Sequence, residues 1–475
     1  MPPQGWNLEH SYTTLPQMFY VNQKPEAPPN STMFIFNHNL AKTLGLNANS
    51  LHDKPYLFSG LELPTGSTPI AQAYAGYQFG VFAMLGDGRA VLLGEQITPD
   101  GLRFDVQLKG SGRTAFSRGG DGYAALKPML REYIISEGMY YLGIPTTRSL
   151  AVTLTGNNVR REQLLQGAVL TRTASSHIRV GTFNYASAFG TTNDVRALAD
   201  YTIWRHFSEI NEDNGENKYV LLFREIAKQQ AKLISDWMLC GFIHGVMNTD
   251  NTSICGETID YGPCAFMDIF DPQTVFSSID TEGRYAYNNQ PKIGAWNLAR
   301  LAEDLLPLFD TNQKSAIEMA EKEIEHYWAM YNRHWLNKAR LKLGLTNEEE
   351  MDNALFNELL DLMASQKLDF TNTFRSLSNL EAPVGEWGKK WQTRLTRQPI
   401  TKQQAMDIIK KNNTAIIPRN HLVEDALEAA DNGDISVMNH LLAALSKPYE
   451  DSEEAKKYSQ SAKTCGCEYK TFCGT

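Results

Sequence analysis

The arrangement that most constrains this chain lies between Tyr74 and Thr173. In YAGYQFGVFAMLGDGRAVLLGEQ, Tyr74 to Gln96, two apolar runs flank Gly86-Asp87-Gly88, the pattern of a β-hairpin with a glycine tip. A third run, Arg103 to Leu108, ends at Lys109. Pro128 opens a helix where its missing N–H costs nothing, and Met129 to Leu142 continues it until Gly143 and Pro145 stop it. Arg148 to Thr155 and Gly167 to Thr173 read as another hairpin, so a five-stranded lobe with one main helix is expected. Before it, residues 1 to 70 are rich in Pro and Asn with one helical stretch, Phe36 to Leu46, and read as an extension laid over the core.

Beyond this lobe the periodicity turns helical. Stretches near 195–207, 219–240, 296–309, 315–341, 348–365 and 403–411, and another after Pro418, are expected as helices. Ile317, Ile324, Trp328, Tyr331 and Trp335 share one helical face, read as core. His326 and His334 on that helix lack partners at ligand spacing, so a structural role is expected.

Between the helices stands HGVMNTDNTSICGETIDYGPCAFMD, His244 to Asp268. Small-molecule kinases carry H-G-D-L-H-x-x-N at such a place, the counterpart of the H-R-D-x-x-x-x-N loop whose Asp takes the substrate proton and whose Asn holds Mg²⁺. Here His244 and Gly245 fit and Asn251 falls on the metal position, but the base position is Val246, which cannot accept a proton. A new carboxylate, Asp250, precedes Asn251, and Asp260-Tyr261-Gly262 has the form of the D-F-G metal turn, with Asp268 a competing carboxylate. The expected fold is therefore α+β, a bilobal protein-kinase-like fold with a β-rich N-lobe, a largely helical C-lobe, and N- and C-terminal extensions. The expected boundaries are 1–70, 71–180, 181–310 and 311–475.

That frame gives the other residues candidate roles. A glycine-rich tip covers phosphates with main-chain N–H groups and Lys109 pairs with them, held by Glu132 on the following helix or, failing that, by Glu137. The long loop GSGRTAFSRGGDGYAALK, with Asp121 and Gly122, is placed to meet a nucleotide. Arg172 and Arg179 fall at the crossing between lobes, where an ordinary kinase holds adenine. Forked guanidinium groups suit phosphate oxygens, so these two move phosphate to where the base would lie.

Bulk properties exclude several classes. A chain of 475 residues that is 42% hydrophobic can bury one large core or two moderate ones. There is no apolar run of membrane-spanning length and no basic-then-apolar start, so an intracellular, cytoplasmic protein without a membrane partner is expected. A net charge of −9 without basic blocks gives no support to nucleic-acid binding. Six cysteines are too few for a disulfide framework, although Cys465, Cys467 and Cys473 crowd the last residues and suggest redox chemistry.

At this length of match the motifs become specific. The stretch Pro69 to Gln96, DVQLKGSGRTAFSRGGDGYAALKPMLREYIISEGMYYLGIPTTRSLA, VLTRTASSHIRVGTF and HGVMNTDNTSICGETIDYGP resemble the selenoprotein O family over nearly the whole chain. The resemblance implies a pseudokinase-like fold that binds ATP in reverse and transfers AMP to Ser, Thr or Tyr hydroxyls of proteins, with UMP from UTP in some bacterial members. It implies that Gly86, Gly88, Arg89, Lys109, Asp121, Gly122, Arg172, Arg179 and Asp260 contact the nucleotide, that Glu132 pairs with Lys109, and that Asp250 accepts the proton. It also implies that Asn251 and Asp260, rather than Asp268, hold Mg²⁺ or Mn²⁺. Family members typically have selenocysteine or cysteine near the C-terminus, here Cys473, and bacterial relatives can bridge it to a cysteine beyond the metal turn; that partner position falls at about Phe276 or Ser277 here, so a bridge would have to use Cys255, Cys264 or a tail neighbour. The alternatives are a phosphotransferase with ordinary ATP orientation and a noncatalytic nucleotide-binding scaffold.

Overall fold

The computed structural model describes residues 4–210, 215–379 and 385–461. Strands gather in the first 174 residues and helices dominate the rest, the expected division into a β-rich lobe and a helical lobe. The lobe is larger than the five strands read from the sequence. Seven strands run in the order Tyr20–Asn22, Ile70–Gln72, Ala90–Ile97, Arg103–Lys109, Leu164–Ala174, Arg148–Arg160 and Thr32–Phe36, all antiparallel, and Leu8–Glu9 and Ala124–Ala125 add to the path. Three of the added strands come from before residue 40; they are too short for a period-2 signal and gain their pairing from residues far along the chain.

Successive side chains of a strand point to opposite faces, and both faces here are covered. Leu92, Val152 and Leu170 face the helix Leu126–Tyr141, while Val91, Leu93, Val106 and Leu108 face a cluster with Leu40, Leu44, Leu57 and Phe58. The N-terminal segment thus covers one face as well as lengthening the sheet.

The hairpin expected around Gly86-Asp87-Gly88 forms one turn earlier. Ala75–Gln78 pairs with Val81–Met84 in a separate two-stranded sheet, and Ala90–Ile97 pairs instead with Arg103–Lys109. The turn residues Phe79 and Gly80 have φ of 51° and 85°, the paired left-handed geometry that suits the strand twist. Gly86 to Gly88 lie between sheets, where their main chain is engaged by another loop.

In the second lobe Lys218–Cys240 packs against Gln290–Phe309 and Gln313–Lys342. On the Gln313–Lys342 helix Tyr331 is buried and Ile324, Trp328 and Trp335 pack on the core, but Ile317 is 38% exposed and leaves the stripe. His326 pairs with Glu323 and His334 with Asp236. Gly241, at φ 75°, ends Lys218–Cys240 and delivers the short ladder Phe242–Ile243 against Ala265–Phe266, which clamps both ends of the His244 segment.

The chain then returns to the first lobe. The helix Asn420–Asp431 lies on Leu126–Tyr141, with Arg131 2.9 Å from Glu424 and Lys127 2.5 Å from Glu428. Arg419, fully buried, bridges Asp268 and Asp369 at the base of this helix. No helix among the described residues is long and apolar enough to cross a membrane. Cys264 is buried and Cys240 and Cys255 are partly buried; Cys465, Cys467 and Cys473 lie outside the described residues.

Candidate active site

A cleft of about 880 Å³ opens between the lobes. Gly86, Gly88, Arg89, Lys109, Asp121, Gly122, Glu132, Arg172, Asp250, Asn251 and Asp260 all line it. Arg179 stands behind this wall, and Asp268 is tied to Arg419, away from the cleft.

Lys109 ends its strand 2.6 Å from Glu132 Oε2 and 2.8 Å from Asp260 Oδ1. Glu137, one turn further along the same helix, is taken by Arg148 and Asn37 instead. Arg172 places Nη1 2.5 Å from Asp260 Oδ1 and 3.3 Å from Glu132 Oε1, and its Nε donates to Gln107. Arg179 donates to Asp260 Oδ2 at 3.0 Å and to the Asp250 carbonyl at 2.7 Å, its guanidinium 4.3 Å over the Tyr74 ring. Burial opposes the charge on Asp260, but Arg172, Lys109 and Arg179 outweigh it and hold the carboxyl well below the usual carboxylate range. Asp260 has φ of 59°, a conformation that costs a non-glycine residue about 1–3 kcal/mol and persists only where its surroundings impose it.

Asp250 sits in the short turn Thr249–Asn251 and is 7% exposed. Its Oδ1 is buried and accepts no hydrogen bond among the described residues. Burial pushes its carboxyl up to about 6, against the opposing pull of Arg179. Two glycines to which the sequence assigns no role make the seat: a Cβ on Gly76 would lie 2.3 Å from Asp250 Oδ1, and one on Gly181 would lie 2.1 Å from Ala75 O and 3.1 Å from Asp250 Cα. The hairpin is bolted to the same loop, since Tyr77 N–H donates to Thr249 Oγ1 at 2.8 Å and Phe79 N–H to Asn248 Oδ1 at 3.1 Å. His244 is fully buried, its burial keeps the ring neutral, and Nε2 donates to the Ile259 carbonyl at 2.9 Å, tying the loop to the residue before Asp260. Val246 lines the cleft as an apolar wall.

The roof is built by close approach. A Cβ on Gly86, at φ 87°, would lie 2.4 Å from the Phe116 ring, and one on Gly122 2.1 Å from Gly112 O. Thr114 Oγ1 donates to Asp87 O at 2.6 Å and Ser117 Oγ to Gly88 O at 2.5 Å, so the loop after Lys109 folds back onto the glycines. Burial raises Asp87 to about 6; its carboxylate accepts from Gln72 N–H and Gln107 Nε2, and Gln107 in turn receives Arg172. Asp121 is held by Arg161 at 2.7 Å, which lowers its pKa.

Asn251 donates Nδ2 to Val246 O at 3.0 Å, which leaves its amide oxygen as the donor atom for a cation in the cleft that Asp260 also lines. Among the described residues no three His, Cys, Asp or Glu side chains gather as a metal cluster. One carboxylate and one amide oxygen are too few for a dedicated cage but fit a hard divalent ion that arrives on phosphates.

Residues 4–446 match the family described as Protein adenylyltransferase SelO. A Protein nucleotidyltransferase YdiU of Halalkalibacterium halodurans is 55% identical, with 100% of this chain aligned to 99% of that protein. Proteins of the same description from Clostridium botulinum and Geobacillus kaustophilus are 56% and 54% identical, each alignment covering 99% of this chain and 98% and 99% of the relative. With a kinase-like fold, a cleft of this make-up and similarity along its whole length, the chain belongs to the SelO family of protein adenylyltransferases and is a nucleotidyltransferase.

Proposed function

We propose that this enzyme transfers AMP from ATP, or UMP from UTP, to Ser, Thr or Tyr hydroxyls of proteins and releases pyrophosphate. The observation that carries this reading is Asp250: a buried carboxylate on the cleft wall, its Oδ1 without a hydrogen-bond partner, four residues after a valine in the ordinary base position. In the reaction the acceptor oxygen bonds to the α-phosphorus, the α–β bridging P–O bond breaks, and pyrophosphate leaves with its electrons. Asp250 takes the hydroxyl proton, and its raised pKa makes it a better base than an exposed aspartate.

Lys109, aimed by Glu132, and Arg172 bring fixed positive charge to the phosphates in a partly dry cleft, where it needs no reorganisation as charge develops. Gly86, Gly88, Arg89, Asp121 and Gly122 form the wall along which the nucleotide lies, and Arg179 holds Asp260 and the Asp250 main chain in register. Asn251 and Asp260 would hold Mg²⁺ or Mn²⁺, which supplies charge neutralisation on the phosphates. The nucleotide enters back to front relative to a kinase: the cation-rich floor takes the terminal phosphates and the α-phosphate comes to Asp250.

Incubation with ATP labelled on either the α or the γ phosphorus tests the reading. Protein that retains the α label and never the γ label is expected. Transfer of the γ label would make the chain a phosphotransferase, and binding without transfer a scaffold.

A further inference from the structure

The hairpin beside Asp250 carries an edge that the catalytic arrangement does not use. Its first strand, Ala75–Gln78, is closed on its outer side by the catalytic loop, because Tyr77 N–H and Phe79 N–H donate to Thr249 and Asn248. The register pairs Gly76 with Ala83 and Gln78 with Val81, and Leu85 N–H donates to Tyr74 O. Since hydrogen-bonded pairs alternate along an antiparallel ladder, the main-chain groups of Phe82 and Met84 point outward. They have no strand partner among the described residues.

The side chains there are apolar and open. Val81 is 70% exposed, Phe82 37% and Met84 45%, and Phe189, 54% exposed, stands 6.3 Å from Phe82 between ring centroids. Soluble proteins blunt such edges with charge, proline or a covering segment. This one is left bare on the hairpin whose other strand abuts the catalytic loop. Near its turn lies Arg284, 4.8 Å over the Trp296 ring, within 3.8 Å of where a Gly80 Cβ would stand, and paired with no carboxylate among the described residues.

We infer that the acceptor protein docks here as an added β-strand: an extended, apolar-alternating segment pairs with the outward groups of Phe82 and Met84, and an acidic residue of it meets Arg284. The inference rests on the reading that the acceptor is a protein. A strand added at ordinary spacing lies about 10 Å from the column of Gly76, against which Asp250 is seated. The acceptor hydroxyl therefore lies beyond the paired stretch, on chain that turns back from the docked strand to within hydrogen-bond reach of the base. Pairing through the main chain predicts tolerance of varied acceptor sequences and a preference for segments that are unfolded or flexible.

The test uses the full-length enzyme, α-labelled ATP and a synthetic peptide of alternating valine and threonine with one glutamate. Single N-methyl groups are placed at successive amides of the peptide. Methylation is expected to lower kcat/KM about tenfold at every second amide only, the loss of one or two hydrogen bonds. Met84→Pro removes an outward donor without touching the ladder and is expected to do the same, with binding of ATP unchanged. Arg284→Ala is expected to erase the preference for the glutamate-bearing peptide over its glutamine counterpart.

A uniform response to N-methylation, together with Met84→Pro labelling the peptide as well as the parent does, would overturn the docking mode while leaving the function standing. Self-association through this edge, seen as a sedimentation mass that Met84→Pro halves with labelling intact, would also overturn it. An unaltered enzyme that labels no acceptor at all would instead sink the functional reading, and this inference with it.

Discussion

At the scale of single residues, Asp250 is defined by what surrounds it more than by its place in a motif. Asp250→Asn should reduce transfer by about 10²- to 10⁴-fold, the usual worth of a general base, with nucleotide binding retained; α-label incorporation beside an equilibrium binding measurement checks both. A carboxylate must be ionised to accept a proton, and burial sets this one near 6, so the rate should fall as pH drops through about 6. Rate against pH for the parent enzyme reads that limb directly. Gly76→Ala is the stricter test, because its Cβ would meet Asp250 Oδ1 at 2.3 Å. Displacing the carboxylate by an ångström should cost about 10²-fold in kcat, and a Gly76→Ala enzyme at full speed would mean that Asp250 is not the base.

The grouping of Lys109 with Glu132 and Asp260 was legible as a kinase-like pattern of residue types, although Glu137 and Asp268 stood as rivals until the structure tied them to Arg148 and Arg419. Gly76 and Gly181 were not legible, since nothing local marks a glycine whose reason is a carboxylate more than sixty residues away. The same holds for Arg179: its distance in sequence from Asp260 gave no hint that it would stand behind that side chain rather than in the cleft.

At the scale of elements, misplacement of the hairpin has a physical cause. Phe79-Gly80 and Gly86-Asp87-Gly88 both offer turn chemistry, and the second is the stronger local signal. Tertiary demand decides otherwise, because the main chain of Asp87 and Gly88 is needed as acceptor by Thr114 and Ser117. Between the helices Val180–Phe189 and Gln290–Phe309, Asp304 accepts from Asn184 Nδ2 while Asn184 Oδ1 is buried and unpaired. Burial raises Asp304 to about 7, so the folded form binds the proton more tightly than the unfolded one, and stability is lost as pH rises toward and through 7. Asp304→Asn removes that penalty and lets an amide N–H reach Asn184. It should stabilise the protein by about 1–3 kcal/mol at pH 8 and progressively less toward pH 5; denaturant melts at the two pH values measure it. Arg419→Ala should do the reverse, destabilising by about 3–5 kcal/mol because Asp268 and Asp369 would lose their shared cation.

At the scale of the whole molecule, the two-lobe plan was legible because strand and helix periods segregate along the chain, whereas the three early strands were not, being two to five residues long and paired across large separations. The site also predicts how the metal and the fold relate. Asp260 is already neutralised by Lys109, Arg172 and Arg179, so a chelator should abolish transfer yet leave the melting temperature of the nucleotide-free protein unchanged; thermal unfolding with and without chelator checks it. The return of residues 419–431 to the helix bearing Glu132 has a further consequence for synthesis. Glu424 lies 293 positions after Arg131, so a polypeptide still on the ribosome can own both lobes and still lack the brace behind its Lys109–Glu132 pair. The brace can form only once residues 419–431 have been made and have folded back onto the helix that carries Glu132.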